Sequence, residues 1–581
     1  MLLATMILAC ASAQQETSTG FPGLPANHTP QVEIAWNRLY DYPELYGLMD
    51  RLVERWPDLL SYRVIGKSEE NREMRVYTLN NPATGSDDEK PAMWVDGNVH
   101  GNEVQAGEVV LYMAWYLLEN YGTNDRITEL VDRSAFYLLP TVNPDGRANW
   151  FNEAHSASSS RTGVQAFDND GDGEADEDGP DDLNGDGYIT QMRKHVPGEG
   201  THRLNRDDPR LLERVPPSSQ GDARIRGDWI FIWSEGIDND GDGRINEDGL
   251  GGYDMNRAWP SSWMPNHVQR GAGAYPLFWP ETRCVADFLY QHPNVAAVQS
   301  FHNAGGMILR GPGVEAYGNY PARDARVYDA LGADGEKMLP FYRYMIIWKD
   351  LYSVFGGFAT WTYEGLGIIS FTNELWTNTR NSPDKRLDSV SDSRHWFNDQ
   401  LLMGAGFVDW EPYDHPMYGP VEIGGFKKDV GRVPPTFLIE EMLHRNALFC
   451  IRHARAMPIV SIQEPKITQL GNGLTAIDVI LENERLIPTR TELASSKEVG
   501  RPDLIQIQGA QLEVLAGGFR TDPWRPEAIE LQEHEPERLI RDAGIGSRSE
   551  LRVRWIVRGG GTVKITWSGE KARDASRSFD L

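Results

Sequence analysis

Between about residues 30 and 457, short apolar runs alternate with longer amphipathic ones. "FYLLPTV", "NVAAVQSF" and "GIISFTN" are brief, β-branched or aromatic, and bounded by turn residues, so they predict buried strands. "VQAGEVVLYMAWYLLENYG" (Val104–Gly122) repeats its apolar positions at helical spacing and stops at a glycine, which predicts a helix. Alternation of this kind predicts an α/β domain with a mixed, mostly parallel sheet flanked by helices. After Pro458 the texture changes. "LTAIDVILEN", "LIQIQGAQLEVL", "LRVRWIV" and "TVKITWS" alternate apolar with polar residues and show no helical period. They predict a C-terminal β-sandwich over residues 463–581, with a packing or spacing role.

A long polar insertion, at about residues 150–252, interrupts the first domain. It contains a repeat: "DNDGDGEADEDG" (Asp168–Gly179) returns as "DNDGDGRINEDG" (Asp238–Gly249), and "DLNGDGYI" lies between them. Acidic or amide oxygens at alternate positions, followed by glycine, are what a calcium loop needs. The candidate ligand sets are Asp168, Asp170 and Asp172; Asp182, Asn184 and Asp186; and Asp238, Asp240 and Asp242. The competing reading is a solvated acidic loop. A calcium ion here would order the loop rather than react.

The 581-residue chain carries a net charge of −28, which argues against nucleic acid or an anionic membrane as partner. No stretch after the N-terminus is long and apolar enough to span a membrane. The N-terminal "MLLATMILACASAQQ" reads as a signal peptide over residues 1–13, ending in the small-x-small pattern Ala11-Ser12-Ala13. The second reading is a lipid anchor at Cys10. Either one places the protein outside the cytoplasm: secreted, periplasmic or at the cell surface. Cys284 and Cys450 allow one bridge or two buried thiols.

The reactive groups fall at comparable places. His100 and Glu103 follow the run "AMWVDGNV", His302 ends "NVAAVQSF" and Glu374 ends "GIISFTN". In an open parallel sheet the ligand crevice lies beyond the carboxyl ends of the strands, so residues far apart in sequence meet there. Two imidazoles and one carboxylate leave a fourth zinc position open, a hydrolytic arrangement rather than a closed structural one. A nearby carboxylate, Glu374, then serves as general base. Each residue alone has a bland reading as a core histidine or a loop charge; the joint pattern is what carries weight.

With "HGNE", "NPDGR", "DMNRAWP", "SFHN" and "LYSVFGGFATWTYEGLGIISFTNELW" in this order, the chain resembles the zinc carboxypeptidases of the pancreatic carboxypeptidase A type. The resemblance implies a zinc carboxypeptidase-like fold for residues 30–457, and it implies roles residue by residue. His100, Glu103 and His302 look like the zinc ligands and Glu374 like the general base. Asn256 and Arg257 look like the clamp on a substrate's terminal carboxylate, Tyr352 like the tyrosine that closes over it, and Ala359 like the base of the specificity pocket. A guanidinium fork matches a carboxylate bidentately, which suits that clamp. Asn102 departs from the arginine that the digestive enzymes carry inside the zinc motif. The arginine that stabilises the oxyanion is obscured by the insertion: Arg193 is the first candidate, with Arg161 and Arg147 behind it.

The expected function is therefore a secreted zinc carboxypeptidase, with one catalytic Zn2+ and Ca2+ in the Asp/Gly-rich loops, acting on peptides with a free C-terminus. The small neutral Ala359 favours apolar or aromatic C-terminal residues. The runner-up is a zinc amidohydrolase acting on cell-wall peptides or acylated amino acids. A non-catalytic binding module would have lost a ligand or the base, and none is lost.

Overall fold

The computed structural model describes residues 29–215, 226–377, 390–522, 524–525 and 528–581. The expected signal peptide and Cys10 lie outside these residues.

The first domain is built on an eight-stranded mixed sheet. Its order across the sheet is Leu60–Lys67, Glu73–Leu79, Ala135–Leu139, Ala92–Gly97, Val295–Asn303, Ile369–Leu375, Met307–Arg310 and Arg343–Ile346. The four central strands, from Ala135–Leu139 to Ile369–Leu375, run parallel to one another. They are buried almost throughout, as a sheet covered on both faces requires. One face packs against the helices Gln105–Asn120 and Thr436–Ala454, which contribute Val109, Met113, Leu443 and Ala447 to a shared core. The other face is covered by Pro280–Gln291 and by aromatic side chains including Trp94, Trp259, Trp279 and Trp361. Cys284 and Cys450 are free thiols, Cys284 half-buried and Cys450 fully buried.

The insertion does more than protrude. Its strands Gln191–Gly200, His202–Leu204, Leu212–Arg214 and Gly227–Ser234 form a second antiparallel sheet with the later hairpin Phe407–His415/Gly419–Phe426. His415 pins that junction: its Nε2 bonds the Gly236 carbonyl at 2.8 Å, and its Nδ1 accepts from the backbone of Met417 and Tyr418.

The C-terminal region is antiparallel throughout, as its alternating pattern predicts. Its strands join one hydrogen-bonded sheet rather than two separately bonded layers. The long strands Asp503–Arg520 and Ser549–Ser568 run the length of it, and both halves of the second contribute to one core, through Val553 and Trp555 on one side and Val563 and Ile565 on the other. This region meets the first domain through the buried Lys571, whose Nζ donates to the carbonyls of Pro293 and Val295, and through Asp324, which accepts from the backbone of Glu492 and Leu493. Among the described residues no helix is long and apolar enough to cross a membrane.

Candidate active site

The parallel register sets Glu374 beside His302, at the carboxyl ends of neighbouring strands. His100 and Glu103 enter from the turn after Ala92–Gly97, the next strand across. That turn is built by Asn98, in the left-handed region at φ 58°. Its side-chain amide donates to the carbonyls of His100 and Gly101, and its Oδ1 accepts from Thr141 and Arg147. Gly101 is required here, because a Cβ would collide with the Ser160 carbonyl and the Gly146 backbone.

Three donor atoms converge. His100 Nδ1 lies 2.9 Å from Glu103 Oε1, His302 Nδ1 lies 2.8 Å from Glu103 Oε2, and the two ring nitrogens are 3.2 Å apart. All three residues are buried. Two imidazole nitrogens and a carboxylate converging on one point are a donor set that suits a tetrahedral zinc ion with its fourth position open. The far nitrogen of His100 meets Asp254 Oδ1 at 3.0 Å, the outer partner that orients a ligating histidine.

Around these lie the groups of a binding cleft: Arg161, Asn256, Arg257, Tyr352, Ala359 and Glu374. Asn256 and Arg257 share a short turn capped by Asp254, which accepts from the Asn256 amide at 2.8 Å. Asn256 Oδ1 in turn accepts from the Phe358 amide, fixing the turn to the helix Phe358–Glu364 that carries Ala359. Tyr352 follows a one-turn π-helix and is 53% exposed, placed at the cleft mouth. Leu309, Ile347, Val354 and Phe358 give the cleft an apolar wall.

Arg193 is not in this cleft. Its strand belongs to the insertion's own sheet, where its Nε donates to Glu422 at 2.6 Å and its guanidinium stacks over Trp229 and Trp410. Arg147 is also spoken for: it is fully buried and bonded to Glu108, Asn98, the Val104 carbonyl and the Tyr40 carbonyl. Arg161 is the arginine brought to the site, 3.2 Å from Glu103 Oε1 and 3.3 Å from Asp254 Oδ2.

Two further groups were not picked out from sequence. Asp254 lies inside the quoted "DMNR", two residues before Asn256, so its signal was present. Arg432 carried no local signal. Its guanidinium donates to the Asn303 carbonyl at 2.7 Å and stands 3.5 Å from Glu103 Oε1.

The charges divide the carboxylates. Burial would raise Glu103, but His100 and His302 hold it well below the usual range. Asp254 is also buried, and His100, Arg257 and Arg161 keep it well below its ordinary value. Glu374 goes the other way: burial and the nearby Glu103 push it up to about 7, against the pull of His302, Arg161 and Arg432. Neighbouring carboxylates driven apart in this way are a feature of acid–base sites.

In the insertion, the two copies of the repeat face each other, with Asp178 and Asp248 exchanging backbone hydrogen bonds at 3.2 and 3.1 Å. The carboxylates gather as Asp168/Asp170/Asp172 and in groups that mix the copies: Asp170/Glu177/Asp248, Asp170/Asp242/Glu247 and Asp172/Glu177/Asp240. Asp238 folds its own loop by accepting from the amides of Gly241 and Gly243. Asp182 does the same for Gly185 and Gly187, and Asn184 and Asp186 accept within the same turn.

The family model described as zinc carboxypeptidase matches residues 45–172 and 183–393. A model for a domain of unknown function matches residues 460–580. Carboxypeptidase D of Mus musculus is 31% identical over 125 residues, 22% of this chain and 9% of that protein. Carboxypeptidase A2 of Mus musculus is 41% identical over 103 residues, 18% of this chain and 24% of that protein. Carboxypeptidase A1 of Rattus norvegicus is 23% identical over 337 residues, 57% of this chain and 61% of that protein. The chain thus spans less than a tenth of carboxypeptidase D and about a quarter of carboxypeptidase A2. Among solved structures, carboxypeptidase A from Helicoverpa armigera aligns with a TM-score of 0.42 at 14% identity, covering 74% of this chain and 76% of that one. The family match takes in the segments that carry His100, Glu103, Asp254, His302 and Glu374, and the chain belongs to the zinc carboxypeptidase family.

Proposed function

We propose that this protein is a secreted zinc-dependent carboxypeptidase, hydrolysing the C-terminal peptide bond of peptides that carry a free carboxylate. The observation that carries the reading is the convergence of His100, Glu103 and His302 on one point beside Glu374, in a cleft that also holds Arg257.

His100, Glu103 and His302 would hold the zinc, with Asp254 keeping the His100 ring in place. Zinc, when bound, supplies Lewis acidity toward the scissile carbonyl and toward water. Glu374 accepts the water's proton at its carboxylate and delivers it to the departing amide nitrogen. Asn256 and Arg257 grip the terminal carboxylate, and Tyr352 closes over it from the mouth. Arg161 stabilises the negative charge that develops on the carbonyl oxygen. The apolar wall beside Ala359 favours apolar or aromatic C-terminal side chains. Export fits the apolar N-terminal run that ends in Ala11-Ser12-Ala13.

We infer further that the Asp/Gly-rich insertion binds calcium, with donors drawn from both copies of the repeat. A cation among these carboxylates, such as Glu177 against Asp248, would offset their repulsion.

The test is mass spectrometry of a mixed peptide pool after incubation with the zinc-loaded protein, half of the peptides carrying free C-termini and half C-terminal amides. Stepwise loss of single residues from the free set alone is the expected result. Cleavage of neither set, with zinc bound, would replace this reading with the amidohydrolase acting on cell-wall peptides or acylated amino acids.

A further inference from the structure

The molecule's net charge is −28, yet one cavity on its seam is walled by arginines. It lies where the last helix of the first domain ends against the C-terminal sheet, and its volume is about 190 Å³. Arg452 and Arg455 come from the end of Thr436–Ala454, Arg485 from the turn after Leu474–Asn483, and Arg548 from just ahead of Ser549–Ser568. Glu484 is the one carboxylate among the described lining residues.

The wall is built. The Arg548 amide donates to the Arg485 carbonyl at 2.8 Å, and the Ile487 amide donates to the Ala456 carbonyl at 2.9 Å, so the three contributing segments are tied together by backbone bonds.

The acids nearby do not neutralise it. Asp334 binds Arg452 at 2.7 Å but also meets Lys337 at 3.7 Å. Glu129 stands 3.5 Å from Arg485 and 3.9 Å from Arg133. Neither Arg455 nor Arg548 is in an ion pair among the described residues. Helix-ending arginines gain from the helix dipole, but that amounts to about half a charge and serves Arg452 and Arg455 alone. Crowding leaves its mark on Arg455, which burial and then Arg126, Arg452 and Arg485 push below its ordinary value against the pull of Glu129. Burial and then Arg485 bring Arg133 down to about 10, against the pull of Glu129. Arg133 and Arg485 also carry buried guanidinium nitrogens without hydrogen-bond partners.

We propose that this cavity is a binding site for a phosphate or sulfate group, held by Arg455, Arg485 and Arg548 with Arg452 behind them. Guanidinium forks arriving from three chain segments suit a tetrahedral oxyanion with several acceptor oxygens; a carboxylate has only two oxygens to offer. The cavity is smaller than the roughly 300 Å³ at which sites for whole small molecules begin, so it accepts one such group, free or at the end of a larger molecule. The bound anion would tie the helix end to the C-terminal sheet.

The test is calorimetric titration of the zinc-loaded full chain with inorganic phosphate, with sulfate and with glycerol 3-phosphate, against acetate at matched ionic strength. Saturable binding of the tetrahedral anions and none of acetate is expected. Arg455→Gln and Arg548→Gln should each weaken it by about tenfold, the cost of one charge-assisted hydrogen bond. Arg455 is half-buried and Arg548 exposed, and circular dichroism checks that the variants fold. Binding of glycerol 3-phosphate alone would assign the site to a carried phosphate group, and equal binding of phosphate a free ion. Unchanged affinity in both variants, or loss of binding in Arg257→Ala instead, would place the anion in the substrate cleft and overturn the proposal.

Discussion

Asp254 Oδ1 lies 3.0 Å from Nε2 of His100, on the edge of the ring opposite the nitrogen that faces Glu103. One carboxylate therefore fixes both the tautomer and the direction of a proposed zinc ligand. The same Asp254 caps the turn of Asn256 and approaches Arg161, linking the metal side of the cleft to the substrate side. Asp254→Ala should lower zinc affinity by about 10–100-fold. Competition against a calibrated chelator measures it, and wild-type affinity in the variant would remove Asp254 from that role.

Glu374 is partly exposed to the cleft, and burial and then Glu103 push its carboxylate up to about 7. Replacing it with glutamine keeps the shape and removes the proposed proton acceptor. Glu374→Gln should retain zinc and peptide binding while turnover falls by roughly 10²–10⁴. Zinc content by mass spectrometry and kcat on a free-carboxylate peptide separate the two effects. Normal turnover would show that another group takes the proton.

Arg161 and Arg193 give opposite expectations. Arg161 faces the cleft, and removing one donor to a developing oxyanion costs about 10²–10³ in kcat, so Arg161→Gln should fall by that order. Arg193 is engaged with Glu422, Trp229 and Trp410 in another sheet. Arg193→Gln should leave kcat per folded molecule near wild type. Steady-state kinetics on both variants decides the assignment, and the reverse ranking would return the role to Arg193.

These residues also show which parts of the molecule the sequence encodes locally. The strands holding His302 and Glu374 were readable because each is a short apolar run ending at its reactive residue, and parallel strands present those ends on one edge of the sheet. His100 and Glu103 were readable because one turn sets their spacing. Position along a long insertion says nothing of which sheet a strand will join, and pairing with Gly419–Phe426 places Arg193 away from the cleft. Arg432 was invisible for the same reason in reverse. Its loop is held at the site by contacts with distant elements, among them Gln105 and Asn303, which donate to its carbonyl. In the C-terminal region alternation predicted strands correctly, but the joining of all of them in one ladder depends on pairings that a period of two does not encode.

The facing repeats of the insertion give a pH-dependent prediction. Burial and the neighbouring Asp248 push Glu177 up to about 7 from an ordinary 4.5, and burial with Asp178 does the same for Glu247. Between those values the calcium-free folded protein holds more protons than the unfolded chain. The contribution of these two groups to stability therefore falls as pH rises through that window and is lowest above it. Calcium bound there would offset the part of the shift that comes from Asp248 and Asp178, and should flatten the slope. In zinc-loaded protein with a calcium-selective chelator, the melting temperature relative to the Glu177→Gln/Glu247→Gln variant should be lower at about pH 8 than at about pH 5. Added calcium should raise it more at the higher pH, because metal binding competes with protons for the same oxygens. Glu177→Gln together with Glu247→Gln should weaken both the pH slope and the calcium response. Thermal melts across the four conditions make the measurement. A calcium response that is absent, or equal at both pH values, would mean that these carboxylates form a solvated loop and hold no ion.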